Sequence, residues 1–170
     1  MTRPVIQGKT ALIWLWLSAI VVTLDQLAKW YIVGQFALFE ILPVGPVLDI
    51  TRMHNEGAAF GLLAQAGGWQ RWFFLGLAAV IGVAIVWWLR TLPARGHYWL
   101  SIGLALIFGG ALGNAYDRFT DGYVVDFLHF HLGGAYFPAF NVADIAISTG
   151  AIMLVIDALM QSRRRRAEAQ

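Results

Sequence analysis

The stretch over residues 141–160, NVADIAISTGAIMLVIDALM, decides what kind of fold this chain can have. From Val142 onward it is an apolar run close to the ~20 residues that carry an α-helix across a bilayer. An acid, Asp144, sits at its mouth, directly after Phe140-Asn141-Val142-Ala143. Eighteen residues earlier, Asp126 stands in a second apolar setting, Val124-Val125-Asp126-Phe127-Leu128. Burying a carboxylate in such surroundings is costly unless it is paired. The rest of the chain reads as the means of holding these two acids together at one face of a membrane.

Three more apolar stretches approach spanning length, at residues 11–33, 72–89 and 98–113, and the fourth span covers 142–160. Hydrophobic residues make up 59% of the 170 and charged residues 13%, against roughly 45–50% and 25% in soluble domains. Too little polarity remains to build a water-facing surface. The expected fold is an α-helical integral membrane protein with four transmembrane helices in a single domain over residues 1–170.

Four spans put both termini on one side. Arg3, Lys9, Arg90, Arg95, Arg163, Arg164, Arg165 and Arg166 fall on that side, eight of the twelve Lys and Arg residues. Lys29, Arg52, Arg71 and Arg118 fall on the other, so the positive-inside rule predicts cytoplasmic termini. The bases cluster in the tail and the short connections, which does not suit nucleic acid as a partner. Cysteine is absent, which removes disulfides and thiol nucleophiles. The first span is too long for a cleaved signal peptide and carries Asp25 and Lys29, so it is expected to stay in the mature protein.

The outward segment 34–71 is too long for a turn. Pro43, Gly45 and Pro46 precede VLDITRM at 47–53, whose alternation and β-branching predict short strands. After a turn at Asn55-Glu56-Gly57, residues 58–66 suit a short interfacial helix. A small outward-facing β/loop platform or lid is expected here. The second outward segment, 114–141, holds Asp126. Span three carries Gly103, Gly109, Gly110 and Gly113, and the Gly109/Gly113 spacing predicts close helix approach.

With this topology, one membrane face collects the unusual polarity. Asp25 and Lys29 lie in the outer half of span one, roughly 12 and 6 Å below its end. Arg52 and Asn55 lie in the first outward segment, Asn114, Asp117, Arg118 and Asp126 in or beside the second, and Asn141 and Asp144 open span four. Such a convergence is a functional site by default. Structural roles compete with it. Asp25 and Lys29 can neutralise each other at i, i+4. Asn141 and Asp144 have the spacing of a helix N-cap with an acid in the first turn. Residues 114–118 can form a solvated helix end with a local Asp117–Arg118 pair, and Asp157 can pair with the arginines near it. Asp126 has no partner nearby in sequence. His129 and His131 alternate on a possible strand and could meet zinc with Asp126 or His54, yet the HExxH helix of zinc peptidases is missing, so no metal is expected.

Two carboxylates with water access suit aspartic-peptidase chemistry. Close acids cannot both ionise easily, so one keeps a proton. The ionised acid accepts a proton from water attacking a carbonyl, and the protonated one donates to the carbonyl oxygen. The rival readings are a small proton- or cation-coupled transporter subunit, which would spread acids through the membrane thickness, and a non-catalytic lipid-binding protein, which would not need Asp126.

Five ordered runs carry a family resemblance: DQLAK at 25–29, NEGAAF at 55–60, GGALGNAYDR at 109–118, VVDF at 124–127 and FNVAD at 140–144. Together they resemble the lipoprotein signal peptidases, or signal peptidase II, over residues 12–160. The resemblance implies an inner-membrane aspartic endopeptidase acting near the outer, periplasmic face, without cofactor. Its substrates would be diacylglyceryl-modified prolipoproteins embedded in membrane lipids, cut just before the lipidated cysteine, and globomycin would block the site. By position it implies that Asp126 and Asp144 are the catalytic dyad. Asn55, Asn114, Arg118 and Asn141 would bind substrate or support the dyad, and Asp25, Lys29 and Asp117 would hold the architecture.

Overall fold

The computed structural model describes residues 9–57 and 67–168. Four helices are long and apolar enough to cross a membrane: Ala11–Gln35, Trp69–Thr91, Tyr98–Thr120 and Val142–Glu168. The first opens with a 3-10 turn, Ala11–Trp14, and continues as α1, Leu15–Gln35. The others are α2 (Trp69–Thr91), α3 (Tyr98–Thr120) and α4 (Val142–Glu168). Four transmembrane-length helices match the expectation; the short interfacial helix falls at 58–66, outside the described residues.

Helix α3 is the axis of the bundle, packed by α1, α2 and α4. Its glycines explain why. Apolar helices gain little by hiding from lipid, so they associate through close van der Waals contact and interhelical hydrogen bonds. A Cβ at Gly109 would lie 2.9 Å from the Ser18 backbone, and one at Gly103 would lie 2.9 Å from the Gly150 carbonyl. Ser18 Oγ donates to the Ala105 carbonyl at 2.7 Å across the same contact. The outward faces carry exposed apolar side chains such as Trp30, Val83 and Ile152, 77%, 71% and 60% exposed. In a bilayer those faces meet acyl chains.

The platform is a four-stranded antiparallel sheet in the order β1-β2-β3-β4, with β1 Ile41–Pro43, β2 Leu48–Asn55, β3 Val124–Leu132 and β4 Ala135–Tyr136. Val125 and Phe127 bury one face of β3 against Ile32 near the end of α1. Arg52 fastens the sheet to that helix end, donating from Nη1 to the carbonyls of Val33 and Phe36 at 3.3 and 3.1 Å.

An irregularity in β2 decides which residues look into the site. Ile50 pairs with Leu128 but Met53 pairs with Asp126, so β2 holds one extra residue. Such a bulge shifts the alternation of all that follows. Asn55 consequently pairs with Val124 and shares the face of Asp126, while His54 turns away and stacks on Tyr123, ring centroids 3.7 Å apart.

The third span does not end at Gly113 as expected. It runs two turns further to Thr120 because Asn114 and Asp117 find buried partners, so the helix need not end to reach water. The fourth helix likewise continues beyond residue 160 through the four arginines.

Candidate active site

Asp126 comes from β3 and Asp144 from the first turn of α4. Each of their four carboxylate oxygens accepts one uncharged N–H donor. Asn55 Nδ2 donates to Asp126 Oδ2 at 2.9 Å and Asn141 Nδ2 to Asp126 Oδ1 at 2.7 Å. Asn114 Nδ2 donates to Asp144 Oδ1 at 2.8 Å, and the Asn141 backbone N–H to Asp144 Oδ2 at 3.2 Å. Asn141 thus touches both acids, and it has no exposed surface. The hydrogen bonds to the carboxylates come from neutral donors, while the cations nearby, Lys29 and Arg118, act on Asp126 through charge rather than by direct contact.

The site's electrostatics follow from burial. Asp126 is 3% exposed. Desolvation, and then the negative charge of Asp144, push its pKa from an ordinary 3.8 up to about 7, against smaller lowering effects of the Asn55 and Asn141 hydrogen bonds and the Lys29 charge. A proton held near neutral pH is what a carboxylate pair needs to act as acid and base together.

Behind the pair lies a second set of contacts. Lys29 Nζ reaches Asp25 Oδ2 at 2.7 Å, Asp117 Oδ2 at 2.8 Å and Asn114 Oδ1 at 3.0 Å. The Asp25–Lys29 pair is therefore not self-contained: it is half of a node joining α1 to α3. Asp25 Oδ1 accepts the Ala143 N–H at 2.9 Å, fixing the start of α4, and Asp117 Oδ2 accepts the Val125 N–H at 3.3 Å, fixing the strand beside Asp126. Asp25 can come this close because residue 113 is glycine; a Cβ there would sit 2.7 Å from Asp25 Oδ2.

Two ion pairs that the sequence allows, Asp117–Arg118 and Asp157 with its arginines, are absent among the described residues. The local Asp117–Arg118 pair does not form, since Asp117 turns inward to Lys29 and Arg118 Nη2 donates to the Gly57 carbonyl at 2.7 Å, its guanidinium over the Phe74 ring. His131 approaches Asp49 at 3.3 Å, and among the described residues no group of three His, Cys, Asp or Glu side chains is placed to hold a metal ion. Asp157 accepts from Gln161 at 2.6 Å rather than pairing with an arginine.

A cavity of about 550 Å³ opens onto the two acids. Asn55, Asn114 and Arg118 line its polar end, and Ile145, Ser148, Thr149 and Ile152 continue it down one face of α4. The cavity is thus polar at the carboxylates and mainly apolar along α4.

The sequence model of the signal peptidase (SPase) II family matches residues 17–160. The chain belongs to that family. Relatives named lipoprotein signal peptidase include one from Alteromonas mediterranea, 45% identical over 160 residues, covering 94% of this chain and 87% of that protein. Another, from Ralstonia nicotianae, is 50% identical over 151 residues, 89% of this chain and 86% of the relative. A solved structure described as a bacterial membrane enzyme, determined by the in meso method, superposes with a TM-score of 0.77 at 30% identity, covering 88% of this chain and 89% of that one. The family is one of peptidases, and the transporter reading finds no support beside it: Asp25, Asp117, Asp126 and Asp144 all gather at one end of the bundle, joined by the contacts above.

In this signal peptidase II some site residues escape sequence reasoning. Gln26 Nε2 donates to Asp117 Oδ1 at 2.7 Å, yet as one glutamine in a span it carries no charge signal. Residues 137–140, held against β3 by Phe137 and Phe140, line the cavity together with Ser148 and Thr149 of α4. Helix periodicity does hint at Ser148, one turn below Asp144.

Proposed function

We propose that this chain removes the signal peptide from diacylglyceryl-modified prolipoproteins, cutting before the lipidated cysteine, with Asp126 and Asp144 as an aspartic dyad. The observation that carries the reading is the Asn141 side chain and backbone reaching both acids at once, at 2.7 and 3.2 Å. The pair titrates as a unit and holds one proton in its working form. Its ionised half takes a proton from the attacking water, while its protonated half donates to the carbonyl oxygen of the scissile bond. Collapse of the tetrahedral intermediate returns the proton to the leaving amine. Both acid and base come from the dyad, so this route calls on no cofactor.

Asn55, Asn114 and Asn141 keep the carboxylates aligned, and Arg118 lines the substrate side of the cavity. Asp25, Lys29 and Asp117 hold the helix and strand from which the acids project. The signal segment lies along the α4 face of Ile145 and Ile152, with the substrate's acyl chains left in membrane lipid. Both termini face the cytoplasm and the dyad the periplasmic side of the inner membrane, consistent with the distribution of bases. A globomycin-type inhibitor would occupy the same cavity.

The test is cleavage of a prolipoprotein, with and without its diacylglyceryl group, by wild type, Asp126→Asn and Asp144→Asn in nanodiscs. Cleavage of the lipidated form alone, abolished in both variants with folding intact, is expected. Near-native turnover in either variant would remove the dyad assignment.

A further inference from the structure

At the end of the bundle opposite the two acids, the start of the first span is strapped to the α2–α3 turn. The Ala11 N–H donates to the Leu92 carbonyl and the Ala94 N–H to the Lys9 carbonyl, both at 2.9 Å, and Thr10 bridges Pro93. Backbone bonds of this kind do not depend on side chains, so they set the two segments side by side rigidly. Their effect is to place Lys9 and Arg95 on one cleft of about 630 Å³.

The lining has a distinct chemistry. Besides the two cations it holds Trp14, Trp16 and Tyr98, with Trp14 edge-on to Tyr98 at 6.2 Å. No acid lines the cleft, and among the described residues neither Lys9 nor Arg95 has an ion pair. Two cations held at one opening without a counter-charge call for an anion. Tryptophan and tyrosine at a span end are the side chains that settle at headgroup level.

The surface leading from the cleft says what else the anion carries. Ile13, Trp16, Ile20, Leu24 and Leu27 are 51%, 53%, 45%, 55% and 57% exposed, at intervals of three and four residues along one face of the first span. That is a continuous apolar track running from the cations toward the membrane centre. A free anion has no use for it, whereas a headgroup with acyl chains does.

We propose that this cleft binds an anionic glycerophospholipid, its phosphate between Lys9 and Arg95 and an acyl chain laid along the Ile13–Trp16–Ile20 face. A zwitterionic lipid gains less, because its ammonium would lie beside Lys9 and Arg95 with no acid in the lining to offset the repulsion. The site is distinct from the peptidase cavity and lies on the side that carries Arg90 and the four arginines of α4. Binding there fastens the N-terminal strap to the α2–α3 turn.

Native mass spectrometry of the full chain, released from nanodiscs holding equal amounts of phosphatidylglycerol and phosphatidylcholine of identical acyl chains, tests it. Wild type should retain one phosphatidylglycerol in preference to phosphatidylcholine by about tenfold. Lys9→Gln, Arg95→Gln and their double variant should lose that preference stepwise. The Arg163→Gln/Arg164→Gln variant, which removes equal charge on the same side, should keep it. Loss of preference in the arginine-tail variant as well, or no preference in wild type, would overturn the site. Glycerol phosphate added to detergent-solubilised protein supplies the other arm. If it raises the Tm as much as the lipid does, the site is one for free phosphate and the lipid assignment fails. The substitutions are at exposed side chains, and the single variants keep the test open should the double one fold poorly.

Discussion

Asn141 and Asp144 hold each other from both ends: Asn141 Oδ1 accepts the Asp144 N–H at 2.9 Å, and Asp144 Oδ2 accepts the Asn141 N–H at 3.2 Å. This reciprocal box caps α4 with a residue that is also a proposed catalytic acid. The structural and functional readings of the pair are therefore not rivals. The cap sets the Asp144 side chain before any substrate arrives, and the dipole of α4 adds its positive end there.

Asn141→Ala should cost about 1 kcal/mol of stability from the lost cap. Its effect on kcat should be far larger, at least about 100-fold, because Asp126 also loses its 2.7 Å donor. Asn141→Ser should regain most of the stability through a serine cap while recovering little activity. Thermal unfolding and prolipoprotein cleavage on the same samples compare the two. Parallel recovery of both would mean that Asn141 acts only as a cap.

Cleavage should depend on pH through Asp126, whose carboxyl is pushed up to about 7. As pH rises past that value the dyad loses its last proton, so kcat/KM should fall, approaching tenfold per pH unit. Stability carries the same sign. Below pH 3.8 both folded and unfolded chains are protonated at Asp126; between there and about 7 only the folded chain keeps the proton. Stability therefore falls as pH rises across that window, by on the order of 4 kcal/mol in total. Asp126→Asn should flatten that part of the unfolding profile and be more stable than wild type at pH 8 but not at pH 4. An unchanged slope would refute the buried-acid account.

Removing the cation at the centre should be worse than removing either acid. Lys29→Met leaves Asp25 and Asp117 buried without their ion partner and should destabilise by about 3–5 kcal/mol. Adding Asp25→Asn and Asp117→Asn to that variant should restore part of the loss. If the triple variant is no more stable than Lys29→Met, packing rather than charge governs this node.

Glycine substitutions separate close contact from helix propensity. Gly110→Ala would drive a methyl into the Ala143 carbonyl, and Gly113→Ala would set one 2.7 Å from Asp25 Oδ2. Both should lower Tm and activity. Gly76→Ala meets nothing within 4 Å, so it should be neutral or stabilising by about 0.5–1 kcal/mol. Thermal unfolding of the three variants should therefore split them by sign.

The membrane class, the four helices and the end of the bundle where polarity gathers could be read from residues alone. Hydrophobicity over about 20 positions is a local property, and lipid leaves helices few alternatives. The platform was only half legible. Alternation at 47–53 announced a strand, but the extra residue in β2 that turns Asn55 rather than His54 toward Asp126 shows up only in the pairing with β3. In sequence Asn114 and Asp117 look like a solvated end, and span three runs past Gly113 only because they find partners on other elements.

By itself the sequence marked Asp25, Lys29 and Asp126 as groups to be buried, since each stands inside an apolar run; the burial of Asn114 and Asp117, which resemble a solvated helix end, came from packing. Which partner each one received was decided by tertiary structure. Asp117 passes over its neighbour Arg118 for Lys29 on another helix, Asp25 reaches the Ala143 N–H, and Asn141 spans both carboxylates. Those partners stand 88 and 118 residues apart in two of the cases, and adjacency at that range comes from helix packing at glycine contacts. Charge and hydrogen bonding act over a few ångströms, so no local pattern could specify them.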